Sequence, residues 1–368
     1  MGRSMKIIAY YLPQFHTFPE NDAWWGTGFT EWNNVRTAFP LFEGHAQPRK
    51  PLKGRYYDLS DREVQRWQAG LAREYGIYGF CYYHYWFEGK LLMQKPLENM
   101  LYDKTIDLPF CISWANEDFT RSWAQKKKEL LLKQTYGKEE DWKRHFEYLL
   151  PFFTDERYIR IDDRPVFIIY RPELIEELYP MLELWNAMAA RNGLKGIKYV
   201  YQQVFYNHLT DRGGELFDYG IEYQPTFVKR QMMKTPKVIG HKIRNQTANL
   251  LHRNLSEKSA ILYDYDETWE RMLRLMPRDE KMIPGAFVDW DNTPRYKSYS
   301  SICYGYSAEK FERYLTKQIV RTRDVYHKDW MFLFAWNEWG EGGYLEPDET
   351  DGYGRLEAVK RALAAGNR

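Results

Sequence analysis

The sequence predicts an α/β protein that folds as a single (β/α)8 barrel, a TIM barrel with long loops after its strands. Apolar segments of strand length recur about eight times in the 368 residues, and helical patterns lie between them. Most of these segments are nearly continuous in apolar or aromatic residues, which is typical of parallel strands covered on both faces. Alternation of strands and helices repeated this often favours a (β/α)8 barrel.

The strand pattern occurs in eight segments, and five segments between them carry a helical pattern. The first helix has a favourable cap residue at each end, Asp61 and Gly76. The strands are predicted at 6–12, 77–83, 109–114, 165–170, 197–201, 219–223, 285–290 and 330–336. The helices are predicted at 61–75, 139–153, 172–191, 266–276 and 307–326.

Two regions depart from this regular pattern. Residues 205–265 mix helical and loop signals, and residues 12–60 are rich in Pro, Gly and Trp. The second region is too long for a bare connection, so we expect it to serve the function. We predict one catalytic domain over residues 1–368, in which 1–4 are interpreted as a cloning remnant. The sequence does not indicate an oligomeric state.

The composition excludes several classes of protein. The chain is 44% hydrophobic and 17% aromatic, so it can bury enough surface to offset the entropy of ordering, and disorder is not expected. A net charge of +2 without a long one-sign run argues against nucleic-acid binding, and no apolar segment is long enough for a membrane span. Cys81, Cys111 and Cys303 lack metal-binding spacing and are predicted to be free, buried thiols.

The start of the chain bears on its location. It lacks the apolar region and cleavage site of a signal peptide, so the default expectation is a cytoplasmic protein. A periplasmic or secreted location is the alternative if the sequence is that of a mature form.

Polar and aromatic side chains gather where the predicted strands end. The active site of a (β/α)8 barrel lies at the carboxyl ends of the strands, so these residues are candidates for substrate binding. A single Trp or Tyr equally suits a core position, and a lone His is more often structural, but packing alone would scatter such residues along the chain. The candidates are Tyr11, His16, Trp25, Glu31, Trp32, His84, Trp86, Asn116, Glu117, Glu222, Asp289, Arg295, Trp336 and Asn337.

This mixture of side chains suits a polysaccharide or oligosaccharide ligand. A sugar ring has apolar C–H faces that pack on aromatic rings and hydroxyls that bind polar groups. A metal site would require His and carboxylate ligands to converge, and the spacing indicates no such set. We therefore expect neither a metal nor another cofactor.

Glu338 and Glu341, at the end of the last predicted strand, are the sharpest local feature. Cleavage of a glycosidic bond generally needs one acid for the leaving oxygen and one base or nucleophile. Three positions apart on an extended strand, the two side chains would point to opposite faces. Both enter one pocket only if the chain turns between them, which Gly340 and Gly342 permit.

The neighbours of this pair allow more than one interpretation. Trp336 and Trp339 are expected to desolvate one carboxyl group and raise its pKa. A helix-capping carboxylate or a surface ion pair is the structural alternative. Carboxylates elsewhere, such as Asp291, compete for the catalytic role.

Six motifs resemble the WbsX-type proteins of polysaccharide gene clusters, and they span nearly the whole chain. They are AYYLPQFH at 9–16, WWG at 24–26, FTEW at 29–32, YYHYW at 82–86, WANE at 114–117 and WNEWGEG at 336–342. Through the last motif, this group is in turn similar to glycoside hydrolase family 99. The members of that family are endo-acting α-mannosidases that fold as (β/α)8 barrels.

The resemblance implies a retaining glycosidase that uses substrate assistance. In family 99 two Glu residues separated by two positions carry the reaction, and Glu338-Trp339-Gly340-Glu341 matches that arrangement. The first Glu is the base for the sugar 2-hydroxyl, which attacks the anomeric carbon and gives a 1,2-anhydro sugar. The second protonates the leaving oxygen and later activates water. By this resemblance Glu338 is the base and Glu341 the acid/base.

The predicted function is therefore that of an endo-acting, retaining glycoside hydrolase, for which a mannan-like substrate stays open. Two alternatives remain. One is a glycosyltransferase of surface-polysaccharide (O-antigen-type) synthesis, the label that WbsX-type proteins often carry. The sequence has no Gly-rich phosphate loop, and its Asp-x-Asp triplets at 264–266 and 289–291 are short. The other alternative is a carbohydrate-binding barrel without catalysis.

Overall fold

Within the described residues, eight parallel strands form a barrel, which confirms the predicted fold class. The computed structural model describes residues 4–121, 129–204, 214–233 and 260–367. Much of the mixed segment 205–265, namely 205–213 and 234–259, lies outside these ranges. The strands are β1 (Lys6–Tyr11), β2 (Gly79–Phe87), β3 (Phe110–Trp114), β4 (Arg164–Ile169), β5 (Lys198–Gln203), β6 (Tyr219–Glu222), β7 (Met282–Ile283 and Gly285–Phe287) and β8 (Trp330–Phe334).

The two pieces of β7 close the barrel. The first piece pairs in parallel with β6, and the second pairs in parallel with β8, where Gly285 lies opposite Phe332. Pro284 lies between the pieces and has no backbone N–H to donate, but its carbonyl accepts a hydrogen bond of 3.3 Å from the Phe332 amide. Because β8 pairs with β1, the strands follow one another around the barrel in chain order.

Helices follow the strands, and all five predicted helices are present. The described helices are α1 (Pro19–Trp25), α2 (Glu31–Arg36), α3 (Arg62–Glu74), α4 (Lys95–Tyr102), α5 (Glu139–Phe153), α6 (Leu178–Arg191), α7 (Thr226–Met232), α8 (Tyr265–Leu273), α9 (Thr293–Tyr296), α10 (Ala308–Asp324) and α11 (Gly354–Gly366). Asp61 caps α3 through the Glu63 amide, and Ser307 caps α10 through the Lys310 amide.

The largest difference between a predicted and an observed helix boundary is at the start of α6, which begins at Leu178 and not near residue 172. Pro172–Leu174 form a separate 3-10 turn. Pro180 explains the difference. A helix that began at 172 would place Pro180 in its interior, where proline lacks the N–H of a helical hydrogen bond. In the observed helix Pro180 lies in the first turn, where amides have no intrahelical partner.

The barrel interior is aromatic and well packed. Tyr10 of β1 stacks on Tyr83 of β2, with ring centroids 5.6 Å apart, and meets Tyr223 edge-on at 5.3 Å. The three cysteines are buried and form no disulfide, as predicted. In the part of the chain that the structure describes, no helix combines the length and apolar character that crossing a bilayer requires.

The close approach of β6 and β7 predicts a strong effect of one methyl group. A Cβ at Gly285 would lie 2.1 Å from the Glu222 carbonyl oxygen, which is backbone and cannot move aside. We expect Gly285→Ala to lower the free energy of unfolding by about 1–3 kcal/mol, measured by urea titration. Gly70→Ala is the control, since nothing lies within 4 Å of that position in α3. The helical control should gain roughly 0.5–1 kcal/mol, and equal stability of both variants would contradict the close approach.

Candidate active site

A cavity of about 370 Å³ opens at the carboxyl ends of the barrel strands. Residues that follow β1, β3, β4, β6, β7 and β8 line it together with Tyr83 and Tyr85 of β2, so it lies where this fold places its active sites. Aromatic rings form much of its wall, which suits the apolar faces of sugar rings. These aromatic residues are Trp25, Phe29, Tyr83, Tyr85, Phe119, Tyr170, Tyr223, Trp290 and Tyr296.

Arg295 on α9 brings the two predicted catalytic glutamates together. Its Nη2 lies 2.9 Å from Glu338 Oε1, and its Nη1 lies 3.1 Å from Glu341 Oε1. Its Nε donates a hydrogen bond of 2.7 Å to Oε1 of Glu31, the first residue of α2. Among the described residues, three carboxylates thus share one guanidinium, and all four side chains line the cavity.

The chain turns between the two glutamates, as the glycines there predict. Residues Trp339–Glu341 form a 3-10 turn, and Gly342 has φ 70°, in the left-handed region that glycine adopts without strain. Arg295, Glu31, Glu338 and Glu341 form a charge cluster beside Gly340. A Cβ at Gly340 would lie 2.1 Å from Glu31 Oε1, so a larger residue there would displace the Glu31 carboxylate from this cluster.

Residues near the end of β7 hold the backbone of this turn. The Asp291 amide donates to the Glu341 carbonyl at 2.7 Å, and Arg49 Nη1 donates to the Gly342 carbonyl at 3.1 Å. Arg49 Nη2 also binds Asp289 Oδ2 at 2.8 Å. Asp289, a predicted substrate-binding residue, therefore supports the turn and does not line the cavity.

Burial raises the pKa of both Glu338 and Glu341, and Arg295 opposes this rise by favouring the ionised forms. If Glu31, Glu338 and Glu341 were all ionised, one guanidinium would face three negative charges in a buried site. Repulsion between the carboxylates therefore favours retention of a proton by the Glu338–Glu341 pair. Such a pair can donate one proton and accept another in the same cavity.

Trp336 and Trp339, which the sequence places beside the two catalytic candidates, point away from the cavity. Neither lines the cavity, and both indole N–H groups donate to the buried Glu346, at 3.1 and 2.7 Å. Burial raises the pKa of Glu346 to about 7, although hydrogen bonds favour its ionised form. The sequence does not indicate Glu346 as a candidate, because its role depends on contacts that form only in the fold.

Four of the predicted substrate-binding residues line the cavity, namely Trp25, Glu31, Glu117 and Arg295. Trp25 stacks on Phe29 with ring centroids 5.3 Å apart. Glu117 forms an ion pair with Arg171.

Three others lie on the outer face of the barrel, under the helices. The Tyr11 hydroxyl donates to Gln68 of α3 at 2.6 Å. His84 Nε2 lies 2.9 Å from His145 Nε2 of α5, and burial lowers the pKa of His84 to about 3, so this pair is neutral. Trp86 stacks on the imidazole of His145, with ring centroids 4.5 Å apart.

A further group holds the loops in place and is buried away from the cavity. Asn337 binds both the amide and the carbonyl of Leu12, at 2.8 and 2.9 Å, and so ties the long loop after β1 to the end of β8. Asn116 makes the same two bonds with the backbone of Arg171, at 2.7 and 2.8 Å. His16 lies within 2.8 Å of the Pro13 carbonyl. Trp32 donates to the Tyr57 carbonyl at 2.8 Å, and Glu222 accepts from Tyr326 at 2.8 Å.

The cavity also contains residues that the sequence analysis missed. Tyr83 and Tyr85 lie on the same strand as His84 and Trp86 but point to the opposite face, toward the cavity. The period-2 alternation of a strand was the signal that could have separated these pairs. Lys229 of α7 lies behind the lining residue Trp290, with Nζ 3.9 Å from the ring centroid. Burial lowers the pKa of Lys229 to about 8.

In the described ranges, no group of three or more His, Cys, Asp or Glu residues is placed to hold a metal ion.

The fold is that of known glycoside hydrolase barrels. The family 99 endo-α-mannosidase of Bacteroides thetaiotaomicron superposes with a TM-score of 0.59 at 12% identity, over 100% of this chain and 98% of that chain. A protein described as "Glycoside hydrolase-like protein" gives a TM-score of 0.58, also at 12% identity, over 98% and 94% of the two chains. At this identity the likeness concerns the fold.

The chain belongs to the family described as "Glycosyltransferase WbsX", whose sequence model matches residues 7–359. A relative from Xanthomonas campestris pv. campestris (strain B100), described as "Uncharacterized protein WxcX", is 36% identical over 360 residues. The match covers 97% of this chain and 49% of that protein, so the chain spans about half the length of the curated relatives it matches.

Glu222 predicts a measurable pH dependence of stability. Burial raises its pKa from 4.5 to about 7 in the folded protein. The stabilising contribution of the neutral carboxyl is therefore complete below the unfolded pKa and is lost as the pH rises through about 7, at a cost of about 3 kcal/mol. Glu222→Gln cannot ionise and should show a smaller decrease in unfolding free energy than the wild type between about pH 5 and pH 9.

Urea titration at stepped pH measures this difference. Glu147→Gln, on the exposed side of α5, is the matched control and should parallel the wild type. A Glu222→Gln profile that also parallels the wild type would show that Glu222 ionises in the fold without cost.

Proposed function

We propose that this chain is a glycoside hydrolase that cleaves a polysaccharide or oligosaccharide with Glu338 and Glu341. The observation that carries the proposal is the placement of both glutamates on one guanidinium in an aromatic cavity at the carboxyl ends of the strands. Protonation and base catalysis at a glycosidic bond require one protonated carboxyl group and one carboxylate in the same cavity, and a Glu338–Glu341 pair that retains a single proton supplies both.

The proposed reaction is retaining and proceeds through the sugar 2-hydroxyl. Glu338 accepts the proton of that hydroxyl, whose oxygen attacks the anomeric carbon, while Glu341 gives its proton to the leaving glycosidic oxygen. Water then opens the 1,2-anhydro sugar, with Glu341 as base, and Glu338 returns its proton to the 2-oxygen. The endo-acting mode is proposed from the likeness in fold to the family 99 endo-α-mannosidase. Retention is proposed from the resemblance of Glu338-Trp339-Gly340-Glu341 to the motif of that family.

Arg295 has a defined part in this scheme. Its contact with Glu338 stabilises the carboxylate that must act as base, and its contact with Glu31 places a further negative charge beside the developing positive charge of the sugar ring. Because Arg295 binds both catalytic residues, it also fixes their spacing.

The charge of the cavity favours a hydrolase over a transferase that uses a nucleotide sugar. Of the described lining residues, Arg295 is basic, whereas Glu31, Glu117, Asp118, Glu338 and Glu341 are acidic. A diphosphate would meet carboxylates and a guanidinium that is already paired with three of them. The family description favours the transferase, which is therefore the second candidate function.

Removal of either catalytic carboxyl tests the proposal. Glu338→Gln and Glu341→Gln should each lower kcat for a polysaccharide roughly 10²–10⁴-fold, because each deletes one proton transfer. With an activated aryl glycoside, Glu341→Gln should be the less impaired variant, since a good leaving group departs without protonation. Release of reducing ends and of the aryl group measures the two reactions.

The exposed Glu147→Gln serves as the control and should hydrolyse at the wild-type rate. Wild-type rates in both cavity variants would show that Glu338 and Glu341 are not the catalytic pair.

Calorimetry, which measures binding, and a reducing-end assay, which measures hydrolysis, together separate the three functions. A hydrolase binds the polysaccharide and releases reducing ends, whereas a binding barrel binds it and releases none. A transferase binds a nucleotide sugar from a panel offered with Mg²⁺ or Mn²⁺. Tight nucleotide-sugar binding without hydrolysis would overturn the proposal in favour of the transferase.

A further inference from the structure

Glu346, in the segment after β8, binds four donors at once. Its Oε1 accepts from Gln68 Nε2 at 2.6 Å and from Trp336 Nε1 at 3.1 Å. Its Oε2 accepts from the Tyr57 hydroxyl and from Trp339 Nε1, both at 2.7 Å. The side chain is buried and does not line the cavity, so it cannot touch a substrate there.

Because each oxygen of Glu346 faces two donors, both oxygens must act as hydrogen-bond acceptors. An indole N–H can only donate, so Trp336 and Trp339 each need an oxygen lone pair. Gln68 uses its own oxygen to accept from the Tyr11 hydroxyl at 2.6 Å, and this leaves its amide nitrogen to face Glu346. A carboxylate meets all of these demands, whereas a carboxamide of the same size presents N–H groups on one side.

The network reaches the charge cluster from two directions. Trp339 lies between Glu338 and Glu341 in the turn, so the position of its indole is tied to the direction of both carboxyl groups. On the other side, Tyr57 donates to Glu346, and its carbonyl accepts from Trp32, the residue next to Glu31. Trp32 and Trp339 also pack together, with ring centroids 5.4 Å apart.

We infer that Glu346 is a positioning residue that sets the geometry of Glu338 and Glu341 against Arg295 through the indole of Trp339. This inference rests on the proposed function for its kinetic consequence but not for its structural one. Glu346 acts on the turn that carries both carboxyl groups, whereas Arg295 acts on the carboxyl groups directly.

Glu346→Gln tests this role with almost no change in volume. The amide nitrogen would face one pair of donors, so one indole or Tyr57 must move, and displacement of the turn by about 1 Å can lower the rate roughly 10²-fold. We expect kcat to fall by about that factor with KM within about twofold of the wild type, because the residues that line the cavity are unchanged.

The matched control is Asp141→Asn. Asp141 is also a buried carboxylate that accepts from an indole, that of Trp86 at 3.1 Å, but it lies on α5 away from the cavity. This variant should lose some stability and keep the wild-type kcat. A Glu346→Gln variant with wild-type kcat, or a control with an equal loss of kcat, would overturn the inference.

A second variant separates positioning from a general loss of folding. Trp339→Phe removes the N–H and keeps an aromatic ring, so it should lower kcat like Glu346→Gln. The double variant should be no worse than the poorer single one, because both changes break the same link. Fully additive losses would show that the two residues act independently.

An activity-free measurement keeps this inference distinct from the proposed function. Infrared titration detects the protonated carboxyl of the Glu338–Glu341 pair, assigned by its loss in Glu338→Gln and Glu341→Gln. Glu346→Gln should shift the midpoint of that titration, and Asp141→Asn should leave it in place. If the wild-type protein hydrolyses no substrate but Glu346→Gln still shifts the midpoint, the proposed hydrolase is refuted and the positioning role is retained. An unshifted midpoint in Glu346→Gln would refute the positioning role.

Discussion

The guanidinium of Arg295 allows three carboxylates to lie together at the mouth of the barrel, where Glu31 and Glu338 are buried and Glu341 is partly buried. Buried carboxylates repel one another and lose hydration, so without a shared cation they would disperse or take up protons. The three arrive from different parts of the chain: Glu31 from the loop after β1, and Glu338 and Glu341 from the turn after β8. Their convergence requires each segment to be held by contacts outside the cavity. The bond pair of Asn337 with Leu12 provides such a contact between the first and last strands.

Much of the fold could be predicted because the barrel strands are buried on both faces. Such strands are continuous apolar segments, and each of β1 to β8 overlaps one of the eight predicted segments. The turn after β8 could also be predicted, since glycine permits a turn there and Gly342 adopts the left-handed region. The start of α6 could not be predicted in this way. Proline is compatible with the first turn of a helix but not with its interior, so the position of Pro180 alone allows more than one start.

The site was harder to predict than the fold, and the reason is the face of each strand. Position at a strand end was the criterion for Tyr11, His84 and Trp86, but all three point to the helix layer. Tyr83 and Tyr85, which alternate with the last two, point to the cavity. On a strand buried on both faces, both sets are apolar or aromatic, so composition does not distinguish inside from outside. Only the register between neighbouring strands, such as Tyr10 opposite Cys81, assigns the face.

The aromatic residues, which make up 17% of the chain, fall into two sets, and the second set supports the cavity. One set of rings lines the cavity, and another lies behind it with polar groups paired among themselves, as in the Glu346 network of Trp336, Trp339 and Tyr57. Indole and phenol groups fill volume like apolar residues while each donates one directed hydrogen bond. A carboxylate buried among such donors joins segments that packing alone would leave free to slide. The proposed catalysis by two groups on one short turn needs this directional support, because dispersion forces fix volume but not orientation.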